Sequence, residues 1–174
     1  ENGRGNGGVP QGLVISGGAL LSTGREGELY NIVGFDAGHI LHGGTMTADE
    51  ALAQNITDAV SFRTHDGLAS ALIINGEIQS KNLGGGVNPR TAIGQCADGS
   101  VLLLVLDGRS INTLGATMQD VADIMLEYGA VNAGNLDGGS SSVMVYNGEI
   151  INNCASVTGP RSIPTAFVVL PEGA

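Results

Sequence analysis

The predicted architecture rests on residues 101–142, which read VLLLVLDGRSINTLGATMQDVADIMLEYGAVNAGNLDGGSSS. The apolar run at 101–106 has no polar alternation, which is typical of a fully buried strand. A Thr-x-x-Asp capping box then precedes an apolar pattern that predicts a helix over 117–128, and residues 130–136 predict a second buried strand. Strand, helix and strand in this order indicate a βαβ crossover with two parallel strands.

Shorter β-like runs surround this unit and are separated by glycine-containing turn signals. Glycine and asparagine supply the positive φ values that two-residue hairpins require. The three clearest hairpin turns are Gly17-Gly18, Asn75-Gly76 and Asn147-Gly148. Much of the glycine content, 29 of 174 residues, is therefore explained by turns rather than by disorder.

The remaining elements complete a single predicted domain over residues 1–174. A second capping box predicts a helix over 48–56, residues 165–170 predict a closing strand, and residues 1–11 form a glycine-rich lead-in. The predicted class is α+β, or mixed α/β. We expect a mixed β-sheet of about ten short strands with hairpins, one βαβ crossover and two main helices.

Composition narrows the function classes. The chain has 7 basic and 17 acidic residues and a net charge of −10, which disfavours nucleic acid as a partner. No apolar run reaches the roughly 18 residues that a membrane-spanning helix needs, and no signal peptide is visible. Cys96 and Cys154 fit neither a metal motif nor a dense disulfide framework, so one bridge and two free thiols both remain open. His39, His42 and His65 have no metal-ligand spacing, and we expect packing or surface roles for them.

Polar residues cluster directly after the two predicted buried strands. Asp107 and Arg109 follow the first strand, and Asn135 and Asp137 follow the second, with a Gly-Gly-Ser-Ser-Ser run behind them. Ligands bind beyond the carboxyl ends of parallel strands, so both carboxylates would face one crevice. Two neighbouring carboxylates can divide the roles of acid and base. The alternative is that each Asp-Gly pair is only a turn signal.

Two further arginines stand where loops enter strands. Arg90 begins the strand-like run upstream of residue 101, and Arg161 precedes the predicted closing strand. Together with Arg109 they could hold a phosphate, because a guanidinium binds phosphate bidentately. Structural ion pairs with some of the 17 acidic residues are the alternative. The residues alone thus indicate an anion-binding crevice with one or two carboxylates, and they name no reaction.

Four motifs resemble the phosphodiester glycosidase family. In chain order they are PRTAIG at 89–94, LDGR at 106–109, NAGNLDGGSSS at 132–142 and GPRSIPTAF at 159–167. The family includes a lysosomal enzyme that removes N-acetylglucosamine from a sugar phosphodiester, and many bacterial exopolysaccharide-related envelope proteins. The resemblance extends over nearly the whole chain and is closest to the bacterial members.

The resemblance implies hydrolysis of a sugar-1-phosphodiester at its glycosidic bond by an extracellular or cell-envelope protein. The substrate would be N-acetylglucosamine-1-phosphodiester-like or an anionic envelope glycopolymer, with arginines on the phosphate and aspartates at the anomeric centre. No cofactor is implied; a divalent cation could bind beside the Asp-Gly loops, but no acidic ligand spacing demands one. The candidate catalytic residues are Asp137, Asp107, Arg90 and Asn135, and the candidate substrate-binding residues are Arg109, Arg161, Thr91, Gly138, Gly139 and Ser141. Of these, Arg109 is a candidate because of its place after the first predicted buried strand, and the resemblance implies no role for it.

This sequence departs from the family pattern at two points, and each departure leads to an expectation. Ser140 stands where members usually have a third glycine, which would restrict the backbone of the loop. The family domain normally continues upstream through a strand that ends in an Asn-Gly-Gly-Phe-type motif. We therefore expect part of the site to come from a segment outside this chain, in the same protein or in a separate polypeptide. A non-catalytic envelope module that binds anionic glycans through the same crevice is the alternative function.

Overall fold

The computed structural model describes residues 8–23, 26–62, 70–79, 83–156 and 158–171. Residues 1–7 of the predicted lead-in, and His65, lie outside these ranges. In chain order the elements are β1 (Val14–Ser16), β2 (Ala19–Ser22), β3 (Tyr30–Asp36), β4 (Leu41–Met46), α1 (Ala48–Ala53), β5 (Ile56–Ser61), β6 (Ala71–Ile74), β7 (Glu77–Ile78), β8 (Arg90–Cys96), β9 (Val101–Leu106), α2 (Met118–Glu127), β10 (Ala130–Asn135), a short 3-10 helix (Gly139–Ser141), β11 (Val145–Tyr146) and β12 (Glu149–Ile150).

The strands β1 to β5 form a five-stranded sheet in the order β2-β1-β5-β3-β4, and its pairs are antiparallel. α1 begins at the predicted capping box, in which Thr47 and Glu50 exchange side-chain and backbone hydrogen bonds. Ala51 of this helix is buried in the core of the sheet. The helix ends before the predicted residue 56, because Asn55 adopts a left-handed φ of 57° and Ile56 starts β5.

The strands β6 to β10 form a second five-stranded sheet in the order β7-β6-β10-β8-β9, again with antiparallel pairs. α2 begins at the predicted capping box of Thr117 and Asp120. It packs on this sheet through Val121, Ala122 and Met125, which are fully buried. Burial of a Val or Met side chain contributes about 1.5–3 kcal/mol, so the apolar face of α2 is what attaches the helix.

α2 connects two strands that run in the same direction, as the predicted βαβ crossover requires, but the parallel pairing implied by a mixed sheet is wrong. β8 lies between β9 and β10 and pairs antiparallel with both, so β9 and β10 run in the same direction without pairing. The reason is local, because a tight turn folds β9 back onto β8, with the amide of Cys96 donating to the Ser100 carbonyl at 2.9 Å. α2 then carries the chain across β8. The two strand ends still reach the same edge of the sheet, one strand apart.

The prediction of one mixed sheet is also wrong, although the α+β class is confirmed. The strands divide into two antiparallel sheets and a two-stranded ribbon of β11 and β12. The two sheets meet through Val33, Leu41 and Ile93, which are buried together. The sheets approach closely at Gly134 of β10, where a Cβ atom would lie 2.5 Å from Cγ2 of Val33. Hairpins join strands that are neighbours in sequence, so each half of the chain builds its own sheet.

The predicted closing strand at 165–170 is wrong as well. The segment forms no strand, and Val168 and Val169 are 70% and 78% exposed. Phe167 packs instead against Phe35 with the rings edge to face and their centroids 6.3 Å apart. β-propensity describes how a residue fits a pleated, half-buried surface, and the described part of the chain offers this segment no such neighbour.

The histidines of the first sheet have the surface and packing roles that we expected. His39 lies in the turn between β3 and β4 with a φ of 63°, and Nε2 of His42 lies 2.8 Å from Oδ2 of Asp36. Hydrogen bonds from the Ile40 amide and from His42 lower the pKa of Asp36. Within the described ranges, no group of three His, Cys, Asp or Glu side chains could hold a metal ion. The helices of those ranges include none with the length and apolar character needed to cross a membrane.

Gln95 of β8 links the two sheets, and this link leads to a testable prediction about stability. It is buried, its Oε1 accepts from the Leu41 amide at 2.8 Å, and its Nε2 donates to the His39 carbonyl at 2.7 Å. Gln95→Leu keeps most of the volume but leaves those two backbone groups unpaired, so we expect it to lower the free energy of unfolding by about 1–3 kcal/mol. Urea denaturation measures this. Gln54→Leu, at an exposed position, is the control and should change it by less than about 0.5 kcal/mol; equal effects would contradict the prediction.

Candidate active site

One edge of the second sheet collects the residues that the motifs single out. β9 and β10 end at this edge and β8 begins there, because Arg90 pairs with Leu106 and Ala92 pairs with Asn135 across the ladders. The loops that carry Asp107 and Asp137 therefore leave the sheet on the same side. The sequence-based expectation of a shared edge holds, although the strands reach it by antiparallel pairing through β8.

Asp137 and Arg161 form an ion pair on this edge. Nη2 of Arg161 donates to Oδ2 of Asp137 at 3.1 Å and to Oγ of Ser141 at 2.7 Å. The side chains of Arg161 and Asp137 are 38% and 55% exposed. A cation, a carboxylate and a hydroxyl thus meet where a solute can reach them. An exposed pair of this kind contributes only about 0–1 kcal/mol to stability, which leaves both groups available for binding.

Asp107 has a different environment, made of amide donors. Its Oδ1 accepts from Nδ2 of Asn152 at 3.1 Å and from the backbone amide of Asn153 at 3.0 Å, and its Oδ2 accepts from Nδ2 of Asn153 at 2.9 Å. Sequence reasoning missed both asparagines. The available signal was a pair of adjacent asparagines directly behind the Asn147-Gly148 hairpin, beyond the residues that the turn itself needs.

Asn135, the last residue of β10, is the most unusual polar group at this edge. Its side chain is 1% exposed, and neither Oδ1 nor Nδ2 has a hydrogen-bond partner among the described residues. A buried amide without partners costs about 1–3 kcal/mol, and most buried polar atoms in proteins are paired. The described residues thus leave one buried donor and one buried acceptor unpaired beside the two carboxylate-bearing loops.

Arg90 is buried and holds backbone carbonyls. Its Nε donates to the Ala116 carbonyl at 3.0 Å, and its Nη2 donates to the carbonyls of Gly85 and Gly86 at 2.5 and 2.6 Å. Both glycines have positive φ, 81° and 55°, a conformation that side chains disfavour. Arg90 therefore fastens Ala116 and the loop of Gly85 and Gly86, the glycine loop, to the start of β8. Its assignment as a catalytic residue stays a prediction.

The remaining candidates shape the 137–142 loop and its support. The amide of Gly139 donates to the Pro89 carbonyl at 3.0 Å, and a Cβ atom on Gly138 would lie 2.6 Å from that same oxygen. Gly139 has a φ of 62°, so neither position has room or conformational freedom for a side chain. The hydroxyl of Thr91 donates to Oγ of Ser142 at 3.1 Å. Both glycines are thus required for the loop to lie on the start of β8.

Arg109 lies at the surface, where its role in substrate binding stays a prediction, and Ser140 does not have the effect on its loop that the sequence suggested. Arg109 is exposed, adopts a φ of 54°, and donates from Nη2 to Oδ1 of Asn88 at 2.7 Å. Ser140 is not among the residues with positive φ, so the absence of a third glycine does not restrict the loop.

Cys96 and Cys154 are both free thiols, which answers the question that the sequence left open.

Residues 1–170, nearly the whole chain, match the sequence model of the phosphodiester glycosidase family. The chain belongs to the phosphodiester glycosidase family. The resemblance drawn from the four motifs is therefore confirmed. Those motifs contribute the residues gathered at the edge of the second sheet, and the family match includes all of them.

Relatives of this phosphodiester glycosidase domain share part of its length. The SPbeta prophage-derived protein YomE of Bacillus subtilis is 36% identical over 85 residues, which is 49% of this chain and 13% of YomE. The N-acetylglucosamine-1-phosphodiester alpha-N-acetylglucosaminidase of Bos taurus is 38% identical over 64 residues, which is 37% of this chain and 12% of that enzyme. The matched segments thus span about an eighth of the length of each of these relatives.

A solved structure shows the same fold. It is the zebrafish N-acetylglucosamine-1-phosphodiester alpha-N-acetylglucosaminidase catalytic domain, auto-inhibited by its pro-peptide. The match has a TM-score of 0.66 and 24% sequence identity and covers 91% of this chain and 59% of that one. At this identity the similarity establishes the fold, which supports the α+β class.

Proposed function

We propose that this domain hydrolyses the glycosidic bond of a sugar-1-phosphodiester, of the N-acetylglucosamine type or in an anionic envelope glycopolymer. The observation that carries the proposal is the contact of Arg161 with Asp137 and Ser141 at an accessible edge of a phosphodiester glycosidase domain. Such an arrangement offers a cation for the phosphate and a carboxylate for the sugar within one contact distance.

The phosphate half of the substrate would be held by exposed arginines. Arg161 and Arg109 are both exposed at this edge, and each contacts the protein mainly through Nη2. Guanidinium groups bind phosphate oxygens through charge-assisted hydrogen bonds and stabilise the negative charge of a departing phosphate. A phosphate monoester is already a good leaving group, so this site needs less help from a general acid than an alkyl glycoside does.

The sugar half would be served by Asp137, with Asp107 and Asn135 beside it. Asp137 could stabilise the oxocarbenium-like centre, activate water or attack C1, which are the roles that a carboxylate plays in glycoside hydrolysis. Arriving substrate phosphate would compete with Asp137 for Arg161 and release the carboxylate for this work. Asn135 is buried directly before the loop that carries Asp137, so it would act from beneath that loop rather than on the sugar, and Arg90 would support the site by fastening the loop of Gly85 and Gly86.

The test is the identity of the products from a methyl phosphodiester of N-acetylglucosamine 1-phosphate. Cleavage at C1–O yields free N-acetylglucosamine and methyl phosphate, whereas cleavage of the P–O bond to the methoxy group yields sugar 1-phosphate and methanol. Cleavage of the P–O bond to the sugar gives the first pair of products but places oxygen from water in the phosphate. We expect the first pair, with ¹⁸O from labelled water in the sugar and none in the phosphate. Sugar 1-phosphate as the product would contradict the proposal. Calorimetric binding of the diester without turnover would favour the alternative, a glycan-binding module of the cell envelope.

A further inference from the structure

Asn152 and Asn153 connect three parts of the candidate site. They follow the β11–β12 ribbon, and between them they give Asp107 all three of the hydrogen bonds described above. Asn152 also donates from Nδ2 to the Ser142 carbonyl at 3.0 Å and accepts at Oδ1 from the Met144 amide at 2.8 Å. One pair of side chains thus ties the end of β9 to the loop that carries Asp137.

These contacts fix the direction of the Asp107 carboxylate. A carboxylate rotates in a broad torsional well, so a single hydrogen bond does not set its orientation. Donors on both oxygens, from two different residues, restrict that rotation and hold the group at a set distance from the 137–142 loop. Ser142 strengthens the link because it is 1% exposed and accepts from Thr91 of β8 at 3.1 Å.

We propose that Asn152 and Asn153 are positioning residues that orient Asp107 toward the substrate and lock the ribbon and the Asp137 loop together. The catalytic consequence rests on the proposed function, because it requires that Asp107 serve the hydrolysis. An amide is suited to this task since it donates to a carboxylate without adding a charge. Misplacement of a reacting group by about 1 Å can cost about 100-fold in rate, so a loosened carboxylate should be visible in kcat.

The first experiment measures coupling between the residues without reference to activity. Urea midpoints are compared for the wild-type protein, Asn153→Ala, Asp107→Ala and the double variant. If Asn153 acts through Asp107, the midpoint of the double variant equals that of Asp107→Ala. Midpoint shifts that simply add would show that the contact contributes nothing, and would overturn the proposal even if the wild-type protein hydrolysed no sugar phosphodiester.

The second experiment measures kcat and KM on the diester described above. We expect Asn153→Ala to lower kcat by roughly 10- to 100-fold with KM changed less than about threefold. Asn153→Asp has the same size but places a carboxylate against Asp107, and we expect it to lower kcat as much as Asn153→Ala does. It replaces the alanine variant in this test if that variant folds poorly. Asn112→Ala, at an exposed position on the neighbouring loop, should stay within about twofold of wild type. An active wild type with unchanged kcat in both Asn153 variants would overturn the positioning role, whereas an inactive wild type contradicts the proposed function instead.

Discussion

Asp137→Asn is expected to lower kcat/KM on a sugar-1-phosphodiester by about 1,000-fold or more, because a positioned carboxylate contributes about 10²–10⁴-fold to such chemistry. The asparagine keeps the shape of the side chain and removes its charge. It would still accept a hydrogen bond from Arg161, so the loop should keep its form. Release of free sugar, followed at several substrate concentrations, measures the effect.

The free energy of unfolding of Asp137→Asn shows whether its lost activity comes from lost chemistry or from lost folding. The Asp137 side chain is 55% exposed and its ion pair is a surface one, so the free energy of unfolding should fall by less than about 1 kcal/mol. Asp123→Asn, at an exposed position on α2, is the matched control and should keep wild-type activity. If Asp137→Asn were as active as Asp123→Asn, Asp137 would have no catalytic role and the carboxylate of Asp107 would be the next candidate.

Arg90→Met is expected to give the largest loss of stability, about 3 kcal/mol or more in the free energy of unfolding. The methionine fills much of the space but leaves the carbonyls of Gly85, Gly86 and Ala116 without their charged donor. A hydrogen bond to a charged group contributes about 1.5–3 kcal/mol, and Arg90→Met loses three of them. Asn88 still donates to the carbonyls of Gly85 and Ala116, so the loss comes from the charged donor itself. Urea denaturation of the two proteins measures the difference.

The control for this prediction is Arg109→Met. Arg109 is exposed and donates to Asn88 at the surface, so its replacement should cost less than about 1 kcal/mol. A stable Arg90→Met protein that had lost its activity would contradict the supporting role that we assign to Arg90. That outcome would return Arg90 to the phosphate-binding set in which the sequence placed it.

The local features of the fold were predictable from the sequence because their causes are local. The capping boxes at Thr47 and Thr117 and the Asn-Gly turns depend on residues within a few positions of one another, and the structure has each of them. The grouping of Asp107 with Asp137 was also predictable. Both follow strands that run in the same direction, which holds whether or not those strands are neighbours.

Features that depend on contacts between distant residues were not predictable. The run at 165–170 has strand-like residues, but a strand also needs a partner, and sequence pattern does not supply one. The contacts of Arg90 were not predictable either, because one of its acceptors is the carbonyl of Ala116, which lies 26 positions along the chain. Its assignment as a catalytic residue stays a prediction. Asn152 and Asn153 were missed because their partner Asp107 is 45 and 46 positions away.

The sequence by itself determined the α+β class, the two capped helices, the hairpin turns and the four motifs that place this chain in the phosphodiester glycosidase family. The tertiary structure alone decided that β8 separates β9 from β10, that Asp137 meets Arg161, and that amides surround Asp107. The physical reason is the distance along the chain between the residues that interact. Backbone preferences and caps act within a few residues, whereas strand neighbours and side-chain partners depend on how distant segments share the free energy of burial and hydrogen bonding.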